Sequence, residues 1–223
     1  MLPPITDSVG DDVQASEPPA APVGALDSYT TFLESRPPAF ETYAVEEVLS
    51  LAHVAPNLPL HIVHLSAVEC IPLLKEARKN GVNITAETCF HYLSLAAEDV
   101  ADGDTRHKCC PPIRGSTNRD GLWAELNEVD SVIQTIVSDH SPCTPELKLL
   151  PQSIPGACGM KVGEDEKEKG DFFSSWGGIS SVGLGLPILW TSAHAQAEAK
   201  HSRNHTSSDC KTKPAVSILD VVR

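Results

Sequence analysis

The sequence is short of cations and of aromatic rings. Its 17 Lys and Arg stand against 30 Asp and Glu, a formal net charge of −13. That balance argues against a binder of phosphate backbones, which needs clustered Lys and Arg, and fits a small or neutral partner better. Aromatics make up 5% of the chain and hydrophobic residues 41%; the shortfall is local, because both ends lack apolar runs. The seven cysteines contain no CxxC, and an odd set without pairing spacing excludes a disulfide framework and points to a reducing compartment. No charged n-region with an apolar core follows Met1, and no apolar run reaches the ~18 residues of a membrane span. These absences lead to the expectation of a cytoplasmic protein with no nucleic-acid and no membrane partner.

What is present falls into three parts. Residues 1–27 are rich in Pro, Ala and acid, as in Glu17-Pro18-Pro19-Ala20-Ala21-Pro22. They bury too little apolar surface to offset their ordering entropy, so a disordered arm or insertion is expected. Residues 28–199 carry periodic elements. Val45, Val48, Leu49 and Ala52 fall at helical spacing within Phe40 to His53, before Pro56. Leu60 to Leu65 reads as a short buried strand and Val68 to Lys79 as a helix closed at Gly81. Val82 to Glu87 reads as the next strand, Asn118 to Glu128 as a helix, and Val132 to Val137 as a β-branched strand. Strands alternating with helices imply a parallel sheet with right-handed crossovers, doubly wound or closed as a barrel. Glu164 to Lys169 reads as a solvated charged loop. Trp176 to Ala199 is a Gly-rich entry followed by a helix, and residues 200–223 form a polar tail with the start of an unfinished element.

Three strand ends offer metal-ligating groups: His64, His91 just past the second strand, and Asp139 ending the third. Groups at the C-terminal ends of parallel strands converge on one face, and two imidazoles with a carboxylate suit Zn2+ or a similar ion. Strand alternation sets His61 and His64 on opposite faces, so an inward His64 sends His61 outward against helices. The same residues have plainer readings. A strand-end His is often a hydrogen-bonded structural group, and Asp139-His140-Ser141-Pro142 is a good turn. Cys109-Cys110 can be a small buried apolar pair, and Pro111-Pro112 a rigid loop.

Four strings occur in order: His61-Ile62-Val63-His64-Leu65-Ser66, Glu87-Thr88-Cys89-Phe90-His91-Tyr92-Leu93, Lys108-Cys109-Cys110-Pro111-Pro112-Ile113-Arg114 and Ser138-Asp139-His140-Ser141-Pro142-Cys143. Together, over about Tyr29 to Trp190, they resemble the second half of the cyclic amidohydrolases, the family of allantoinase, dihydroorotase and dihydropyrimidinase. The forms Tyr29-Thr30-Thr31-Phe32-Leu33-Glu34-Ser35-Arg36-Pro37, Lys108 to Pro112, Ser141 to Lys148 and Trp176-Gly177-Gly178-Ile179 are similar to the allantoinase branch, and the acidic, Pro-rich stretch before Tyr29 to its fungal members.

The resemblance implies an α/β architecture, a partial TIM (β/α)8 barrel holding strands five to eight and truncated at both ends. It implies two divalent ions, expected to be Zn2+, bridged by a carbamylated lysine. His64 and His91 match the family's metal ligands from strands five and six. Asp139 matches the strand-eight carboxylate, which ligates the other ion and acts as general base. Cys110, and with it Gly177, match places where backbone groups meet the ring amide of the substrate. The family's His-x-His pair and its lysine have no counterpart in the sequence, so an incomplete ligand set is expected for the chain as given. The implied activity is metal-dependent hydrolysis of a cyclic amide, allantoin to allantoate in purine breakdown, with allantoin as the small-molecule partner and a homo-oligomer as an open assembly. Dihydropyrimidinase- or dihydroorotase-like activity is the alternative within the family, against which Cys109-Cys110 argues. A catalytically inactive fragment is the alternative outside it.

Overall fold

The computed structural model describes residues 22–155 and 169–204, with side chains of the last helix through residue 198. Most of the expected arm at 1–27, the charged run through Glu168 and the tail beyond Asn204 lie outside the described residues.

Two helices open the described part, α1 (Tyr29–Glu34) and α2 (Pro38–Ser50). The fixed φ of Pro38 suits the first turn of α2, where its missing N–H is not needed. An alternation of strands and helices follows: β1 (Leu60–Ile62), α3 (Cys70–Lys79), β2 (Ile84–Cys89), the short α4 (Phe90–Ser94), α5 (Ser116–Leu126), β3 (Ile133–Val137) and α6 (Gly185–Asn204). The stop of α3 is legible in its residues. Gly81 takes φ +89, its N–H donates to Arg78 O, and the Val82 N–H donates to Ala77 O, so the last carbonyls of the helix are satisfied by a left-handed residue that only glycine adopts without strain. Helix α6 runs on into residues read as polar tail, because Ala, Gln, Glu and Lys are strong helix formers whatever their polarity.

The three strands pair in parallel in the order β1-β2-β3, with Leu60 opposite Ile84 and Cys89 opposite Val137. Ile84, Ala86 and Ile133 enter one core with Leu74 and Cys70 of α3 and Leu122 and Trp123 of α5. Glu125 of α5 locks this side of the sheet. Its buried carboxylate accepts the Val132 N–H at 2.9 Å and meets Lys75 Nζ of α3 at 2.5 Å, so a charged pair satisfies the entry of β3 and ties two helices together. Tyr29 and Phe32 of α1 extend this core with Phe172 and Phe173, the rings packing at centroid distances of 5.2–5.9 Å.

The resemblance implied strands five to eight with Asp139 on the last; among the described residues three strands pair, β3 lies directly beside β2, and Ile179 adds a single parallel bridge to His140. The stretch between β2 and β3 contains Gly103, Pro111, Pro112 and Gly115, residues that disfavour strand interiors. One expectation, for His61, needs correcting. β1 ends at Ile62, and His64 has a positive φ of 39°, so strand alternation does not extend from one histidine to the other. His61 is exposed and hydrogen-bonds Thr85 Oγ1 at 2.7 Å and Glu87 Oε2 at 3.2 Å, on the face of the sheet away from α3 and α5.

Candidate metal centre

β2 delivers Cys89 and then His91, one residue into α4, while β3 delivers Asp139 two residues past its end. Cys89 Sγ, a His91 ring nitrogen and an Asp139 carboxylate oxygen lie within 4.8 Å of one another. His91 is 4% exposed, and neither Nδ1 nor Nε2 has a hydrogen-bond partner among the described residues. An unsatisfied buried polar group costs about 1–3 kcal/mol, so this ring is held in an arrangement that the apo protein alone does not reward. Burial lowers its pKa to about 4, with Asp139 raising it and His64 lowering it further. The ring is therefore neutral and a free σ donor at ordinary pH. A neutral imidazole, a carboxylate and a thiol within one small volume fit a divalent cation of the borderline or soft kind.

The structure brings His91 and Asp139 together as the sequence reading expected and adds Cys89, which that reading passed over. The signal was available, since Glu87 and Cys89 alternate onto one face of β2 and lead directly to His91. His64 acts electrostatically on His91 but is not one of the three clustered groups. It lines a cavity of about 460 Å3 together with Cys110, Pro111 and Pro112. Asp139 is exposed and also has a positive φ, 43°; two strand-end residues thus leave the strand with their backbones in a sparsely allowed region, a feature typical of functional sites.

The Cys110–Pro112 turn is held from below. Its Cys110-Pro111 bond is cis; Pro111 O accepts from Tyr92 Oη at 2.8 Å and Pro112 O from Ser66 Oγ at 3.0 Å. Behind it, Arg114 and Glu41 form a buried pair, Nη2 to Oε1 at 2.6 Å. The same carboxylate accepts the N–H groups of Ser66 at 2.9 Å and Ala67 at 3.1 Å. One carboxylate thereby joins α2, the turn after His64 and the Cys110 turn. Gly177 lies against this turn: a Cβ placed on it would sit 4.0 Å from Cys110 Sγ. Gly178, at φ +155, approaches the Asp139 loop so closely that a Cβ would stand 2.4 Å from Ser141 O, and Ser181 donates its N–H to His140 Nδ1 at 3.0 Å. Cys109 is buried and Cys110 exposed, so the two are not a buried apolar pair.

No family model matches the chain. Allantoinase from Saccharomyces cerevisiae is 49% identical over 180 residues, covering 80% of this chain and 35% of the relative. Allantoinase, mitochondrial, from Aquarana catesbeiana is 42% identical over 178 residues, 80% of this chain and 33% of the relative. Among solved structures, dihydropyrimidinase from Brevibacillus agri aligns with a TM-score of 0.62 at 23% identity, over 88% of this chain and 35% of that one, and a D-hydantoinase with 0.59 at 28% identity, over 76% and 34%. The chain thus spans about a third of the length of the curated relatives it matches, and the fold is a partial amidohydrolase-type barrel. Among the described residues no helix is long and apolar enough to cross a membrane.

Proposed function

We propose that this chain, 49% identical to a curated allantoinase of which it spans about a third, is part of a cyclic amidohydrolase and supplies one part of a site that hydrolyses allantoin to allantoate with a divalent metal. The observation that carries this reading is the buried, unpartnered His91 beside Asp139 and Cys89. His91 and Asp139, with His64 close by, would hold an ion, and a second ion bridged through a carbamylated lysine would draw its remaining ligands from outside this sequence, Zn2+ being the expected metal. When bound, such an ion supplies Lewis acidity, lowering the pKa of water and polarising a carbonyl.

The chain's own residues do the rest. Asp139 is exposed at the strand end and accepts the proton of the attacking water, then returns it to the ring nitrogen as the C–N bond breaks. Backbone groups at Cys110 and Gly177 hold the ring amide, and their spacing is set by the tethered turns on either side. The Cys110 thiol takes no part. Burial disfavours protonation of His91, which keeps its ring nitrogens available to the ion. The expected compartment is the cytoplasm.

The test is an assay of the full-length protein for allantoate formation, with and without a chelator, alongside its metal content. Metal-dependent ring opening supports the reading. Failure to open allantoin in the metal-replete protein would sink it, and opening of a dihydropyrimidine instead would move the substrate to the neighbouring branch. Assayed alone, the 223-residue chain is expected to show no turnover, since no His-x-His pair accompanies its ligands.

A further inference from the structure

Two lysines outside the ligand set converge on the segment that contains Gly177. Lys108 is 6% exposed, and its Nζ donates to Phe173 O at 3.0 Å and to Ser175 O at 2.5 Å. Lys148 is half-buried, and its Nζ donates to Trp176 O at 3.1 Å, to Gly178 O at 2.5 Å and to Thr105 O at 3.4 Å. Four carbonyls within residues 173–178 are thus taken by two ammonium groups. Neither ammonium pairs with a carboxylate among the described residues. Burying a cation on neutral acceptors is costly, and burial duly lowers both pKa values.

The main chain completes the arrangement. Trp176 donates its N–H to Leu147 O at 2.8 Å, and Gly178 donates to Lys108 O at 2.8 Å. Between them, the Gly177 N–H has no acceptor among the described residues. The stem of Lys108 forms the floor under Gly177, with Cε 3.7 Å from where a Cβ would stand. With its carbonyls turned towards the lysines, the segment keeps one donor for something else. Three pieces of chain are fixed relative to one another: 105–110, which ends in Cys110; 139–148, which begins with Asp139; and 173–178.

We propose that Lys108 and Lys148 form an ammonium clamp that positions the Gly177 N–H against Cys110, fixing the width of the slot that receives the ring of the substrate. They are positioning residues, remote from the bond that breaks, and the role rests on the substrate reading above. Without the two ammonium groups the segment would keep only its two main-chain bonds, at Trp176 and Gly178, which leaves Gly177 free to drift, and a misplaced donor weakens binding of the ring more than proton transfer at Asp139.

Lys148→Met and Lys108→Met in the full-length, metal-replete protein test this, Met keeping the unbranched stem without the charge. The expected result is a KM for allantoin raised about tenfold or more, kcat within about threefold, unchanged metal content, and faster amide exchange confined to residues 173–181. Lys148→Arg, which retains a cation able to reach carbonyls, should recover most of the KM. If Lys108→Met does not fold, the half-buried Lys148 carries the test alone. An unchanged KM in a folded Lys148→Met protein overturns the clamp, as does a fall in kcat alone. A wild-type protein that does not act on allantoin overturns the substrate reading itself, and with it the clamp's purpose, whatever the exchange pattern shows.

Discussion

The side of the sheet covered by helices and the side facing away from them are built on different rules. On the covered side Ile84, Ala86, Leu74 and Leu122 are almost fully buried, and the polar groups that enter, such as Glu125 and Arg114, are paired. On the other side β1 presents His61 to solvent. Yet of the two histidines it is exposed His61 that has two partners, while buried His91 beyond the end of β2 has none. Proteins ordinarily pair what they bury and leave the rest to water. On the proposed reading, the reversal at His91 marks where lone pairs are reserved for a ligand, and the ordinary behaviour of His61 marks a structural residue.

The strongest way to break this contrast is Asp139→Asn in the full-length protein. Turnover of allantoin should fall by about 10²–10⁴-fold, the usual worth of a positioned general base, with the thermal midpoint little changed because Asp139 is exposed and outside the core. Near-normal turnover would remove Asp139 from the chemistry. Next in size is Glu41→Ala, which strips the carboxylate from buried Arg114 and from two backbone N–H groups. An uncompensated buried charge costs about 3–5 kcal/mol, readable as a shift of the urea midpoint. A shift below about 1 kcal/mol would mean that the network contributes no more than an ordinary surface pair.

His91 sharpens the comparison through pH. In the metal-free protein the unfolded chain takes a proton on this ring near pH 6.5, while the folded chain refuses it until about pH 4. The group's folded pKa is depressed, so its stability contribution is present at neutral pH and is lost as pH falls between those values, by about 3 kcal/mol at most. His91→Leu should flatten that slope and raise the stability of the metal-free protein near pH 5. It should also abolish any stabilisation by added divalent metal. Equal pH slopes for the two proteins would show that the ring is not held neutral by burial.

How much of this was readable beforehand depended on the range of the signal. Helix α3 and strands β2 and β3 follow from local periodicity, and the Gly81 stop from one residue type. The meeting of His91 with Asp139 followed from the rule that parallel strands end on one face. Lost to the sequence were features set by backbone departures from regularity. His64 turns to positive φ and cancels the alternation argument; the loop Lys108–Arg114 supplies no strand; and Lys108 and Lys148 find acceptors 65 and 28 to 30 residues away along the chain. Charged side chains reaching main-chain carbonyls leave no pattern, because every residue offers a carbonyl.

His61→Ala is the smallest change and the most discriminating. The ring is 39% exposed and bridges Thr85 of β2 to Glu87, so its loss removes hydrogen bonds that water largely replaces, for about 0.5–1 kcal/mol. Metal content of the full-length protein should not change, although His61 and His64 are three residues apart and line the same cavity. His91→Ala in the same protein should lower metal content sharply. If both substitutions depleted metal alike, possession of hydrogen-bond partners would not separate structural from ligating histidines here, and the lone pairs of His91 would lose their special standing. If only His91→Ala does, the missing partner is itself the sign of the site, because two imidazoles, one on β1 and one just past the adjacent β2, then differ in function through what each is bonded to.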